Sequence, residues 1–140
     1  PDARRFENWE NAYALRAGLS TTMTYADQIG IDAIEARVSH LGGLCAEMAG
    51  ALPGVTNMDL GVTKSGITSF KLDGADASVI TAQLRVSGFS VGTSGPGTTR
   101  IDAEKRDLPT LLRIAPHYYN TEDEITRCVK RLGELMSERR

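Results

Sequence analysis

The segment Leu111–Val129, "LLRIAPHYYNTEDEITRCV", carries the strongest structural signals in the sequence. An apolar run closed by a proline predicts a β-strand over residues 111–116. Thr121, followed three residues later by Glu124, has the spacing of a helix capping box, so a helix is expected to begin there. The apolar residues of this last helix recur on one helical face: Ile125, Val129, Leu132 and Met136.

Arg113 interrupts the apolar run of the predicted strand. A charged group in an apolar environment is costly unless a partner of opposite charge is supplied. One explanation is internal: the aliphatic stem is buried and the guanidinium pairs with a neighbouring Asp or Glu. The other explanation is that the Arg113 guanidinium binds an anionic ligand. The residue pattern alone leaves both explanations open.

The rest of the chain predicts six further elements around this strand and helix. Helical periodicity predicts a helix over residues 10–29, a second from Asp32 to about Leu52, and a third from Asp73 to Gly88. Strands are predicted at residues 55–61, 67–72 and 89–93, and "SGPGTTR" at 94–100 predicts a loop. The order α-α-β-β-α-β-β-α indicates an α+β fold, a small and mostly antiparallel sheet flanked by helices.

Composition excludes several classes of function. The 140 residues are 41% hydrophobic and 24% charged, with a net charge of −2, as in an ordinary globular domain. Basic residues form no patch, which argues against a nucleic-acid partner, and the apolar runs are too short for a membrane span. The two cysteines and two histidines lack metal-ligand spacing. Buried, reduced Cys45 and Cys128 are expected, as in a cytoplasmic protein.

Several segments occur in an order that resembles a known family. "ARRFENWE" before a long helix, "SGITSFKLDG", and "LPTLLRIAPHYYNTEDEITRCV" are similar to the C-terminal part of the class V aminotransferases. These are fold-type I pyridoxal-phosphate (PLP) enzymes that include cysteine desulfurases and selenocysteine lyases. The resemblance implies that residues 1–29 are an interdomain segment with a long linking helix. Residues 30–140 would then be the C-terminal small domain, and an N-terminal large domain would be missing.

The resemblance also assigns roles to particular residues. Arg113 matches the arginine that binds the substrate's α-carboxylate, where a planar guanidinium donates two parallel hydrogen bonds. Thr98 stands where desulfurases have their catalytic cysteine, which makes it a candidate substrate-binding residue, although a hydroxyl cannot carry a persulfide. Trp9 and Glu10 stand where the desulfurase pattern has Gly-Thr, whose threonine contacts cofactor phosphate across the dimer. They are therefore candidate cofactor-binding residues, although the Glu10 carboxylate would repel a phosphate. Trp9 is expected either at the cofactor cleft or subunit interface, or in the core.

Two further features of the sequence bear on the site. Arg100, at the end of the glycine-rich loop, is a candidate for a second anionic contact, and the plain alternative is a solvent-exposed loop. The resemblance implies that the Schiff-base lysine lies in the large domain. The lysines of this chain fall in turns or at expected surface positions: Lys64, Lys71, Lys105 and Lys130. We therefore expect this chain alone neither to bind PLP nor to catalyse a reaction.

The functional hypothesis is a domain of a cytoplasmic, homodimeric PLP-dependent aminotransferase that acts on an amino acid. A C–S or C–Se lyase is the next candidate, and an epimerase is a third possibility. A stand-alone α+β binding or dimerisation module without catalysis is the alternative from another class, since a fold by itself proves no chemistry. On the enzyme hypothesis, the first helix should expose an apolar surface.

Overall fold

A computed structural model describes residues 2–7 and 9–138. The chain divides into two compact units, residues 1–34 and 35–140. The first unit holds a short 3-10 helix, Ala3–Phe6, and helix α1, Tyr13–Ile29. No residue of α1 is buried, and its large apolar side chains are exposed, as the sequence predicts for this helix: Tyr13, Leu15, Leu19, Met23, Tyr25 and Ile29.

The second unit is built on a four-stranded sheet with the strand order β1-β2-β4-β3. Each neighbouring pair of strands is antiparallel. The elements in chain order are α2 (Ile31–Gly50, which begins in the first unit), β1 (Val55–Asn57), β2 (Thr68–Leu72), α3 (Ala77–Val86), β3 (Gly92–Ser94), α4 (Arg100–Arg106), β4 (Leu111–Ile114) and α5 (Glu122–Ser137). The expected α+β class with a small antiparallel sheet is therefore confirmed.

The hydrophobic core joins one face of the sheet to helices α2, α3 and α5. Its fully buried residues come from strands and helices alike: Phe70, Leu112, Leu41, Cys45, Ile80, Leu84, Leu132 and Leu135. The Thr68 hydroxyl, also buried, donates to the carbonyl oxygen of Ile114 at 2.9 Å and lies 3.5 Å from the Cys45 sulfur. This pairing matters because a buried hydroxyl without a partner would destabilise the core.

The capping box expected at the start of α5 is present. The Thr121 hydroxyl accepts from the Glu124 backbone N–H at 3.2 Å, and the Glu124 carboxylate accepts from the Thr121 backbone N–H at 2.8 Å. Two orphan donors of the helix N-terminus are thereby satisfied. Three acidic residues in the first turn also complement the helix dipole.

Helix α4 was not predicted, so the predicted element order is wrong at this point. Its seven residues bury only Ala103, which leaves no apolar stripe for periodicity to detect. Opposite charges four residues apart stabilise it instead: Arg100 pairs with Glu104, and Arg106 pairs with Asp102. The spacing of opposite charges four residues apart was the feature of the sequence from which α4 could have been predicted.

All four strands differ from their predicted bounds, and two of them differ most. The strand predicted at 55–61 ends at Asn57, because the Asp59 carboxylate accepts from the Ser69 backbone N–H at 3.1 Å where a strand carbonyl would otherwise do so. The strand predicted at 89–93 begins only at Gly92, since the Phe89 backbone N–H donates to the helical carbonyl of Leu84. Both differences come from local polar groups that replace sheet pairing. Among the described residues, no helix is long and apolar enough to cross a membrane.

Candidate functional site

Arg113 lies on the face of the sheet opposite the hydrophobic core. Its neighbours Leu112 and Ile114 are buried, whereas Arg113 is exposed. Because successive side chains of a strand point to opposite faces, the strand is apolar on one face only at this point. The expectation that Arg113 sits within a buried strand is therefore wrong. The guanidinium faces outward and needs no internal acid to compensate for burial.

The Arg113 side chain forms no hydrogen bond or ion pair with any other residue in the part of the chain that the structure describes. The alternative in which it pairs with a neighbouring Asp or Glu is therefore not what the structure shows. An exposed cation whose donors are free can accept an incoming anion without first breaking an internal pair. Such an arrangement fits an anion-binding group better than a structural ion pair.

The sheet register sets the immediate surroundings of Arg113. Ser69 of β2 and Gly92 of β3 are its Cα partners on either side. Side chains at paired positions of antiparallel strands lie on the same face. A Cβ placed on Gly92 would lie 3.4 Å from an Arg113 Nη atom and 3.7 Å from Nε. The guanidinium therefore lies across the backbone of β3, above a residue without a side chain.

A cleft of about 410 Å³ lies in the second unit, and Arg113 is not among its lining residues. Its lining comes from α2, the segment between β1 and β2, the sheet, and α4. Ser69, the partner of Arg113, lines it, and so does Leu111, which lies two residues before Arg113 on β4 and is only 6% exposed. The cleft thus reaches the strand that pairs with Arg113 on one side, whereas the guanidinium lies over β3 on the other side.

The wall of the cleft is fixed by Arg106, a residue that the sequence did not single out. One of its Nη atoms donates to Asp102 at 2.9 Å, and the other donates to the Met58 carbonyl oxygen at 2.6 Å. The Met58 backbone N–H in turn donates to the Ser69 carbonyl oxygen at 2.8 Å. The Arg106 side chain is 21% exposed, so α4 is tied to the strand that partners Arg113. The four-residue spacing between Asp102 and Arg106 was the only feature of the sequence that pointed to this interaction.

Thr98 and Arg100 lie at the start of α4, and their side chains make local contacts there. The Thr98 hydroxyl donates to the Gly95 carbonyl oxygen at 2.9 Å and closes a turn. Arg100, exposed at the first position of α4, donates from Nε to Glu104 at 2.7 Å. Neither residue is among those that line the cleft, and Arg113 is not among them either. Their assignment to substrate binding stays a prediction.

Trp9 and Glu10 belong to the first unit and are both exposed. Trp9 is 98% exposed, so the alternative of a core tryptophan at the helix start is wrong. An indole left so fully in water is uncommon unless another surface covers it. The cofactor-binding role of these two residues stays a prediction.

The two thiols do not offer a nucleophile. Both cysteines are free and buried, as expected from the sequence. Burial raises the pKa of the Cys128 thiol to about 12, with a smaller contribution from Cys45, and burial also raises the pKa of Cys45. Both are therefore protonated at neutral pH and poorly reactive, because the thiolate is the reactive species. No group of His, Cys, Asp and Glu suited to a metal ion occurs in the described ranges 2–7 and 9–138.

The lysines and His117 lie in settings that do not resemble a covalent cofactor site. Lys71 pairs with Asp73 at 3.3 Å, and Lys64 donates to the Asp59 carbonyl oxygen at 3.0 Å. Lys105 and Lys130 are exposed on helices α4 and α5. The exposed His117 ring stacks on Tyr119 with centroids 4.8 Å apart, and the Tyr118 centroid lies 4.5 Å from His117 and 5.5 Å from Tyr119, so the three rings form one cluster. This aromatic group closes the turn that follows β4.

With this geometry in place, a comparison of the sequence with known families decides the assignment. A profile of the class V aminotransferases matches residues 3–128. The chain belongs to the class V aminotransferase family. A probable cysteine desulfurase from Xylella fastidiosa is 28% identical to it over 115 residues, which are 82% of this chain and 27% of that protein.

Solved structures of this family share the fold. The cysteine desulfurase of Thermococcus onnurineus superposes with a TM-score of 0.85 at 22% identity, over 97% of this chain and 34% of that one. The cysteine desulfurase CsdA of Escherichia coli gives 0.82 at 19% identity, over 94% and 32%. The cystine C–S lyase C-DES gives 0.71 at 22% identity, over 94% and 32%, and a mutant of C-DES carries glycine covalently linked to the PLP cofactor. The chain thus spans about a third of the length of these proteins.

Proposed function

We propose that this chain is the C-terminal domain of a longer PLP-dependent enzyme that acts on an amino acid, and that Arg113 binds the substrate's α-carboxylate. The observation that supports this proposal is the exposed guanidinium of Arg113, which has no partner among the described residues. Family membership supports the same proposal, because the resemblance aligns Arg113 with the carboxylate-binding arginine. Transamination is the reaction we favour.

The chemistry that Arg113 performs is binding and orientation. Its Nε–H and one Nη–H would donate in parallel to the two carboxylate oxygens, which fixes both the position and the rotation of the amino acid. Holding the reacting group in one orientation lowers the entropic part of the activation barrier.

The residues described here do not form a PLP site by themselves. Each lysine is either engaged by an acceptor or exposed on a helix. A Schiff-base lysine requires a pocket that favours its neutral form, and none of these positions provides one. We therefore place the covalent attachment of PLP in a large domain outside this chain. Residues 1–29 would be the segment that links that domain to residues 30–140.

The test is the variant Arg113→Lys in the full-length enzyme. Lysine keeps the charge but lacks the two parallel N–H donors of the guanidinium, so at least one charge-assisted hydrogen bond to the carboxylate is lost. At about 1.5–3 kcal/mol for such a bond, kcat/KM for the amino acid should fall by about 10- to 100-fold. The affinity for PLP, followed by the visible absorbance of the bound cofactor, should not change. Unchanged kcat/KM would reject the carboxylate role of Arg113.

A C–S or C–Se lyase is the second candidate function. Its support is the likeness to a probable cysteine desulfurase and to a cystine C–S lyase. The persulfide route of a desulfurase is not supported, because Thr98 replaces the catalytic cysteine and both thiols are buried. Release of sulfide from cysteine, or of a persulfide from cystine, without any amino acceptor would favour the lyase, whether the carbon skeleton leaves as alanine or as pyruvate with ammonia. Oxo-acid formation that depends on an amino acceptor would favour the aminotransferase.

Two parts of the proposal concern assembly and location. The exposed Trp9 and the apolar residues of α1 support a surface that other protein covers, either the large domain or a second subunit of a homodimer. The two reduced thiols support a cytoplasmic enzyme.

A non-catalytic binding module would share the fold, but it would require neither an upstream lysine nor bound PLP. The coding sequence upstream of residue 1 separates these cases.

A further inference from the structure

We propose that the cleft of about 410 Å³ binds a free amino acid with an apolar side chain, at a site separate from Arg113. Lys64 binds the carboxylate of this ligand, Asp59 binds its ammonium group, and the apolar part of the lining contacts its side chain. The inference is independent of the proposed function, because Arg113 does not line the cleft. It gives a binding role to two residues that have none in the family resemblance.

The first argument is that Lys64 and Asp59 lie side by side in the cleft. Lys64 Nζ donates to the Asp59 backbone carbonyl oxygen at 3.0 Å, which brings the ammonium group to residue 59. The Asp59 carboxylate accepts from the Ser69 backbone N–H at 3.1 Å, so strand β2 fixes its position. All three residues line the cleft. The cleft therefore contains a cation and an anion that are each held by a backbone group.

The second argument is that these two charges are not neutralised by other side chains. In the described parts of the chain, neither the Lys64 ammonium nor the Asp59 carboxylate forms an ion pair. Lys64 donates one hydrogen bond to a neutral carbonyl, so two of its three donors remain for a ligand. The Asp59 carboxylate accepts one hydrogen bond from a neutral N–H and can accept more. A ligand that carries both charges can bind both groups without breaking an internal pair.

The third argument is the charge balance of the whole cleft. The other two charged side chains of the lining, Arg106 and Asp102, pair with each other at 2.9 Å. The cleft therefore has no net charge, but it has one unpaired charge of each sign. A simple carboxylate at Lys64 would be repelled by Asp59, and a simple amine at Asp59 would be repelled by Lys64. A zwitterion complements both charges, and this complementarity favours it over either simple ion.

The fourth argument is the size of the cleft and its apolar lining. A volume of about 410 Å³ is within the range of small-molecule sites in proteins. Large apolar side chains form much of the lining: Met58, Leu60, Ile67, Leu108 and Leu111. Leu60 is 70% exposed and Ile67 is 52% exposed, so a ligand side chain that contacts them would remove apolar surface from water. An amino acid such as leucine therefore fits the lining better than glycine does.

The experiment titrates L-leucine into the 140-residue chain and follows the backbone amides by NMR. The amides of Asp59, Lys64 and Ser69 should shift together with one Kd. Two analogues each lack one charge: 4-methylpentanoate has no ammonium group, and 3-methylbutylamine has no carboxylate. Each should bind about tenfold more weakly, the effect of one hydrogen bond to a charged group. Glycine should also bind about tenfold more weakly, because it buries less apolar surface. Equal affinity for leucine and any one of these three compounds overturns the proposal.

Variants of the two charged residues test the same site from the protein side. Lys64→Met and Asp59→Asn should each raise the Kd for leucine about tenfold. The asparagine side-chain oxygen can still accept from the Ser69 backbone N–H, so this variant keeps the local structure. Lys105→Met removes an exposed lysine that does not line the cleft, and it should leave the Kd unchanged. An unchanged Kd in Lys64→Met, or an equal rise in Lys105→Met, overturns the site.

The variant Arg113→Lys separates this site from the proposed function. In the 140-residue chain it should leave the leucine-induced shifts of Asp59 and Ser69 unchanged, because Arg113 lies outside the cleft. Loss of these shifts in Arg113→Lys would show that leucine binds at Arg113, and the separate site would be overturned. Unchanged shifts support the site whatever the effect of Arg113→Lys on kcat/KM of the full-length enzyme, which tests the proposed function alone.

Discussion

Gly42 and Gly43 are adjacent in helix α2, yet the structure predicts opposite effects when each is replaced by alanine. A Cβ on Gly42 would lie 2.8 Å from the Ser65 carbonyl oxygen and 2.9 Å from the Gly66 Cα. Both are backbone atoms, which cannot move aside as a flexible side chain can. A Cβ on the exposed Gly43 would meet nothing within 4 Å. The two positions therefore share a helix and differ in packing.

The magnitude follows from two opposing terms. Replacement of glycine by alanine within a helix stabilises it by about 0.5–1 kcal/mol, and this gain applies at both positions. Overpacking against the Ser65–Gly66 backbone costs about 1–3 kcal/mol, and it applies at Gly42 only. Gly43→Ala should therefore be more stable than the parent protein, and Gly42→Ala should be less stable than Gly43→Ala by about 1–3 kcal/mol.

Thermal unfolding followed by circular dichroism measures the difference. At about 4 °C per kcal/mol for a domain of this size, the melting temperatures of the two variants should differ by about 4–12 °C. Urea midpoints with equal m-values would confirm that the effect acts on the folded state. Equal stability of the two variants would refute the close approach of α2 to the segment that walls the cleft.

Three further predictions concern the junction of α2 with α5 and the core. The Arg37 guanidinium, followed by backbone hydrogen bonding, lowers the pKa of Glu122 from 4.5 to about 2. The stabilisation from this pair is therefore complete above about pH 4.5 and disappears as the pH falls towards 2. In Arg37→Gln, the melting temperature should fall less between pH 4.5 and pH 2 than it does in the parent protein. Thr121→Ala removes the helix cap and should destabilise the protein by about 1 kcal/mol, measured by urea denaturation, with Thr121→Ser as the control that keeps it. Cys45 and Cys128 should react with a thiol reagent only as fast as the protein opens, and rapid labelling of the native protein would contradict their burial.

The sequence located the elements whose signals are local. The Thr121–Glu124 spacing fixed the start of α5, because a capping box involves only neighbours along the chain. Periodicity located α1 and α2 for the same reason, although their ends differ by a few residues from those predicted. It failed for α4, which is held by side-chain charges and a single buried alanine.

The features of the candidate site likewise fall into those visible in the sequence and those visible only in the tertiary structure. The sequence by itself marked Arg113, because a lone charge in an apolar run is visible without a structure, and the family resemblance assigned it a ligand. Only the tertiary structure decided that Arg113 faces away from the core without an internal partner, and that Ser69 and Gly92 stand on either side of it. The physical reason is that strand register joins residues far apart in the chain. Register depends on which faces are buried and on how every strand pairs at once, and no single segment encodes it.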